Sequence, residues 1–143
     1  MNTLYLLDTN IIVHLARRDV LGLDINRAYS LLTCNPRPVI SVVTVGEMRS
    51  LAYQWQWGEP KKRQMRFLLG YFRVLPIDED VLETYALMDS YSEQVGRSMG
   101  KNDAWIAATA FAYGAHLLTS DNDFSHLSPS FIAYDFIDPD QQP

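Results

Sequence analysis

The ten residues Leu4-Tyr5-Leu6-Leu7-Asp8-Thr9-Asn10-Ile11-Ile12-Val13 constrain the fold more than any other stretch of the chain. A short apolar run bounded by polar residues is the pattern of a strand covered on both faces, so residues 4–7 read as a buried strand. Asp8, Thr9 and Asn10 then read as the loop and cap of a helix over residues 11–18. In open α/β sheets, ligands bind just outside the carboxyl ends of the strands. Asp8 therefore stands where such folds place their chemistry.

The rest of the chain repeats the alternation of strand and helix. Residues 27–33 read as a helix, and Asn35-Pro36-Arg37-Pro38 as a breaker. Val39-Ile40-Ser41 is a short strand, and a helix opening at residues 41–44 carries Glu47 and Met48 to about Trp55. Gly58-Glu59-Pro60 separates it from a helix over 61–72, where Met65, Leu68, Leu69 and Phe72 fall at helical spacing. Residues 74–77 are extended, and Asp78 or Asp80 caps a long helix over 81–95. An Ala-rich helix over 104–113 opens at Asn102-Asp103 and is closed by Gly114. Residues 116–119 and 131–134 are the last two strands. This order predicts a parallel three-layer α/β/α domain with about five strands.

At 143 residues the chain is sized for one domain, expected over 1–135, with a polar, Pro-containing tail over 136–143 expected to fray. Twelve Lys and Arg stand against 17 Asp and Glu, a net charge of -5. Bulk charge therefore cannot hold nucleic acid, since that affinity comes from neutralising phosphates. Such work would need a local basic patch or metal ions. The single Cys34 excludes an internal disulfide and fits a reducing, cytoplasmic setting. No apolar run approaches membrane-spanning length.

Four carboxylates fall at equivalent places in this scheme. Asp8 follows the first strand, Glu47 lies a turn into the helix after the second, Asp103 opens the Ala-rich helix, and Asp121 follows the strand 116–119. Asp123 is two residues further on. Each has a plain structural reading: Asp8 and Asp103 as helix caps, Thr44-Val45-Gly46-Glu47 as a capping box, and Asp121-Asn122-Asp123 as a turn. Capping alone does not require an acid at every one of these sites. If they converge, their mutual repulsion, about 4 kcal/mol for a pair 4 Å apart at an effective dielectric near 20, demands protons or cations. Oxygen-only ligands select hard cations such as Mg²⁺ or Mn²⁺, which can activate a water against a phosphodiester. Thr119 and Ser41 are hydroxyls placed to orient the acids. Lys101 or Asn102 could touch a phosphate or tether a carboxylate.

Four segments resemble the PIN-domain family, and within it the VapC-type toxin ribonucleases of bacterial toxin–antitoxin pairs. They are Leu6-Leu7-Asp8-Thr9-Asn10, Ile40-Ser41-Val42-Val43-Thr44-Val45-Gly46-Glu47, Asn102-Asp103-Ala104-Trp105-Ile106-Ala107-Ala108-Thr109-Ala110 and Leu118-Thr119-Ser120-Asp121-Asn122-Asp123-Phe124. The resemblance implies that Asp8, Glu47, Asp103 and Asp121 bind Mg²⁺ or Mn²⁺ and cleave RNA, with Asp123 as an auxiliary acid; Asn10 joins Thr119 and Ser41 as a candidate to orient the acids. It also implies a homodimer and a cognate VapB-like antitoxin whose tail can push a basic side chain into the acid pocket. Gly46 departs from the larger residue usual before the helix acid.

Lys61, Lys62, Arg63 and Arg66 are the densest basic cluster and a candidate RNA contact; the plain reading is a solvated helix face. Tyr53, Trp55 and Trp57 cannot all face one way on a helix, so part of that aromatic patch should be exposed. Rival α/β readings fit less well. A haloacid-dehalogenase-type phosphatase wants a second Asp where Asn10 stands. A receiver domain wants an acidic pair before Asp8, where the chain has Tyr5-Leu6-Leu7. A dinucleotide fold wants a glycine-rich loop, which is missing. A PIN-fold enzyme of RNA processing and a catalytically idle interaction module remain alternatives.

Overall fold

The computed structural model describes residues 2–140. Its five strands are β1 (Tyr5–Leu7), β2 (Val39–Ser41), β3 (Arg73–Leu75), β4 (His116–Thr119) and β5 (Tyr134–Phe136). All neighbours pair in parallel, in the order β3-β2-β1-β4-β5. The six helices are α1 (Thr9–Arg17), α2 (Val20–Tyr29), α3 (Val42–Gln54), α4 (Glu59–Tyr71), α5 (Glu79–Gln94) and α6 (Lys101–Ala112).

Alternation along each strand divides the core in two. Leu6, Val39 and Leu117 point to one face, where Val81 and Met88 of α5 and Ile106 and Ala107 of α6 cover them. Leu7, Ile40 and Leu118 point to the other, against Ile11 and Ile12 of α1, Met48 of α3 and Met65 and Leu69 of α4. The adjacent pairs Leu6-Leu7, Val39-Ile40 and Leu117-Leu118 are buried on both faces. That is why these strands read as unbroken apolar runs. Truncating Leu7 or Leu118 to Ala would cost about 2–5 kcal/mol. The central place of β1 puts its carboxyl end between those of β2 and β4.

Two elements lie away from their expected positions. The second helix is α2, Val20–Tyr29, capped by the Asp19 side chain on the Gly22 N–H, rather than residues 27–33. Packing requires Gly22 in this helix: a Cβ there would lie 2.3 Å from the His14 carbonyl oxygen of α1. The last strand is Tyr134–Phe136 rather than 131–134. Ile132 is buried and Phe131 partly so, but both are in the loop, their N–H groups donating to the Leu127 carbonyl. Beyond β5, the Ile137 N–H donates to the Thr119 carbonyl. The end of the expected tail, 141–143, lies outside the described residues.

Candidate active site

Asp8 is the first residue after β1, and its N–H continues the ladder by donating to the Leu118 carbonyl. The side chain does two jobs. Oδ1 accepts from the Thr9 N–H at 2.8 Å and so caps α1. Oδ2 accepts from Thr119 Oγ1 at 2.7 Å and from Asn10 Nδ2 at 3.1 Å. Only 2% of Asp8 is exposed. Burial raises its pKa from the ordinary 3.8 to about 6, helped by the charges of Glu47 and Asp121 and opposed by the Thr119 and Thr9 hydrogen bonds.

Thr119, the last residue of β4, joins two acids. Its hydroxyl donates to Asp8 and accepts from the Asp121 N–H at 2.9 Å. Asn10 reinforces the junction, its Oδ1 accepting from the Ser120 N–H. Asp121 Oδ1 accepts from the Asp123 N–H at 3.0 Å, a turn that folds Asp123 back over the same edge. Asp103 arrives from the first turn of α6, whose N-cap, Gly100, supplies no side-chain hydrogen bond. Carboxylate oxygens of Asp103, Asp121 and Asp123 all lie within 4.8 Å of one another.

Asp8 and Glu47 are not part of that tight trio. Asp8 lies behind it in the core. Glu47 reaches the edge from α3, where Oε1 accepts from Thr9 Oγ1 at 2.6 Å and Oε2 from Asn102 Nδ2 at 3.3 Å. Both charges are nonetheless felt at Asp103, whose pKa rises to about 7. Its burial is the largest cause, followed by the charges of Asp8, Asp121, Glu47 and Asp123. Burial and the neighbouring Asp123 raise Asp121 as well.

Among the described residues no Lys, Arg or His pairs with any of these five acids; the ion pairs involve Asp19, Asp24, Glu59, Asp89 and Asp135. Two carboxylates near 4.8 Å repel by roughly 3 kcal/mol at an effective dielectric near 20. Protons or an external cation must offset this. The donors are all oxygens, converge on one point and carry no internal counter-charge, which fits a hard divalent cation.

Several expected residues sit elsewhere. Ser41, expected to orient an acid, instead caps α3, its Oγ accepting from the Val43 N–H at 3.0 Å, and no carboxylate bonds to it. That cap also shows that Thr44 does not open a capping box with Glu47. Lys101 reaches Asp89 at 3.4 Å, away from the acids. The basic cluster is split over the sides of α4. Lys62 lies over the Tyr53 ring, Lys61 over Trp57, and Arg66 near Glu59, while Arg63 and Lys61 line a groove between α1, α2 and α4. Tyr53 is 77% exposed, as the aromatic spacing predicts. Sequence alone does not single out Thr9 and Thr44: between two recognisable polar residues, Thr9 reads as part of a cap. The hint was its place beside Asp8, from which a side chain turned the other way faces α3.

Known proteins bear on this arrangement. A ribonuclease named VapC4 from Mycobacterium tuberculosis is 41% identical over 88 residues, spanning 60% of this chain and 68% of that protein. A ribonuclease named VapC1 from Haemophilus influenzae is 33% identical over 116 residues, 81% of this chain and 85% of the relative. The solved VapBC-1 structure from nontypeable Haemophilus influenzae superposes with a TM-score of 0.79 at 29% identity, covering 94% of this chain and 98% of that one. The PIN-domain model matches residues 5–128. That span starts at β1 and ends past Asp123, taking in the sheet edge and every acid gathered there, and the chain belongs to the PIN-domain family.

Proposed function

We propose that this chain is a metal-dependent endoribonuclease that hydrolyses RNA phosphodiester bonds, and the toxin of a toxin–antitoxin pair. The observation that carries this reading is the cluster of unpaired carboxylates at the carboxyl edge of the sheet. Ribonuclease relatives that align across most of the chain support it. In this reading Asp8, Glu47, Asp103 and Asp121 are the acids that bind a Mg²⁺ or Mn²⁺ ion, with Asp123 as an auxiliary acid drawn in by its closeness to Asp103 and Asp121. When bound, the ion supplies an activated water and neutralises charge on the phosphodiester. Thr119 and Asn10 keep Asp8 and the Asp121 loop in register. Lys61, Lys62, Arg63 and Arg66 are candidate contacts to the RNA backbone.

The groove between α1, α2 and α4, about 1,020 Å³, supports an antitoxin partner. Leu15, Leu23, Phe67 and Leu68 make it apolar, with Arg17 and Arg18 at its wall. A homodimer is proposed from the family relationship. A cytoplasmic setting fits the single Cys34 and, among the described residues, the lack of any helix long and apolar enough to cross a membrane.

The test is cleavage of cellular RNA by purified protein with Mg²⁺ or Mn²⁺, with 5′ ends mapped. Asp103→Asn should lower the rate by about 100-fold or more, on the scale of a lost catalytic group. Undiminished cleavage by that variant, or by protein treated with a chelator, contradicts the assignment. Cation binding without cleavage of any RNA would favour an idle interaction module.

A further inference from the structure

The direct hydrogen-bond partners of the Glu47 carboxylate, Thr9 and Asn102, belong to neither its own helix nor the acid trio. Thr9 and Asp8 are consecutive, yet their side chains turn opposite ways. Asp8 faces β4 through Thr119, and Thr9 faces α3, where its hydroxyl meets both Glu47 Oε1 at 2.6 Å and Thr44 Oγ1 at 2.9 Å. Hydrogen counting fixes the direction of these bonds. A hydroxyl has one proton, and a carboxylate can only accept, so the Thr9 proton goes to Glu47. The proton shared between the two threonines must then come from Thr44. Thr44 is fully buried, and this is its only side-chain hydrogen bond among the described residues. On the other side, Asn102 of α6 donates to Glu47 Oε2.

We propose that Thr9 is a positioning residue: the relay from Thr44 through Thr9 holds the Glu47 carboxylate at the acid cluster, ready to add its charge to a bound cation. The inference rests on the nuclease reading and deepens it. Glu47 lies on the wall of an open groove of about 560 Å³ with Ser50, Leu51, Gln54 and Trp105, where a free side chain would sample several rotamers. Fixing it in advance removes that ordering cost from the binding step. One bond to each carboxylate oxygen leaves acceptor capacity on both. The chain order explains why the two functions sit together. At the end of the central strand, one residue serves the neighbour on one side and the next serves the neighbour on the other.

The test is Mn²⁺ binding by calorimetry, with melting temperatures recorded for every variant. Thr9→Val removes the hydroxyl at nearly constant volume and should weaken Mn²⁺ binding about 10-fold, the lower range for partners that orient metal ligands. Thr9→Ser should restore it. In a Glu47→Gln background Thr9→Val should have no further effect, because the relay would have no charged acceptor left to hold. Thr9→Val binding Mn²⁺ like the parent, or an equal loss in the Glu47→Gln background, overturns the proposal while leaving the nuclease reading intact. A parent protein that binds no Mn²⁺ overturns both. A Thr9→Val variant that melts early but binds normally when folded also overturns it, since Thr9 would then only join α1 to α3.

Discussion

The two ends of β4 hold carboxylates in opposite circumstances. Thr119 closes the strand, and beside it Asp8, Asp103, Asp121 and Asp123 crowd together without a protein cation. His116 opens the strand about 10 Å away, and its ring reaches Asp135 of β5, the register partner of Leu118: Tyr29 donates to Asp135 Oδ2 at 2.6 Å, and His116 Nε2 lies 3.0 Å from Oδ1 as an ionic contact rather than a hydrogen bond. The effect on proton affinity is opposite. Burial raises Asp8 to about 6 and Asp103 to about 7. At Asp135 burial also pushes upward, but the Tyr29 hydrogen bond and the nearby His116 ring outweigh it and hold the carboxyl below its ordinary value. A carboxylate that serves the fold is given donors by the fold. At the other end donors alone do not suffice: Asp8 accepts three hydrogen bonds, yet deep burial among other acids, with no protein cation beside them, still raises its pKa, at a cost in stability.

The largest effect separating the two ends should come from pH in cation-free protein. Asp8 and Asp103 keep protons to about 6 and 7 when folded but only to 3.8 when unfolded. The folded state therefore binds more protons in that window, and these groups make stability fall as pH rises from about 4 to 7. Asp103→Asn at pH 7.5 should relieve the repulsion and raise the melting temperature by about 3 °C, for roughly 1 kcal/mol in a domain of this size. It should also flatten the pH dependence. A lower melting temperature would make Asp103 a structural residue and erase the contrast. Asp8→Asn is a poorer probe, because an amide nitrogen at Oδ2 would face the Thr119 and Asn10 donors.

A smaller effect of opposite sign is expected at the other end. The Asp135 side chain is 43% exposed, so solvent discounts its charge, and Asp135→Asn should lower stability by about 0.5 kcal/mol. That loss should shrink as pH falls through the lowered Asp135 value, where the parent carboxylate is itself protonated. Thermal melts from pH 3 to pH 7.5 measure both. A gain in stability would mean that Asp135 too is a strained acid.

Much of this contrast is written locally in the chain. Leu6-Leu7-Asp8 and Leu118-Thr119 announce strands buried on both faces that deliver polar groups at their ends, and the even spacing of such units implies the parallel sheet. The acids at those ends follow directly. Harder to see was anything set by contact between distant segments. The second helix is Val20–Tyr29 rather than 27–33, and the need for Gly22 within it shows only once α1 is found against it. Phe131 and Ile132 read as a strand, although they fill the core from a loop while the true edge strand carries Asp135. Ser41 and Thr9 are both hydroxyls near an acid. Only the direction of each side chain shows that Ser41 caps a helix and Thr9 reaches Glu47.

The central claim is that the carboxyl edge of the sheet is a cation site. Calorimetric titration of the purified protein with Mn²⁺ at pH 8 and pH 6 tests it most directly. Saturable binding is expected at pH 8. It should be weaker at pH 6, where Asp103 holds a proton that the cation must displace, and largely lost in Asp103→Asn. No saturable binding at pH 8, or binding that Asp103→Asn leaves unchanged, would contradict it.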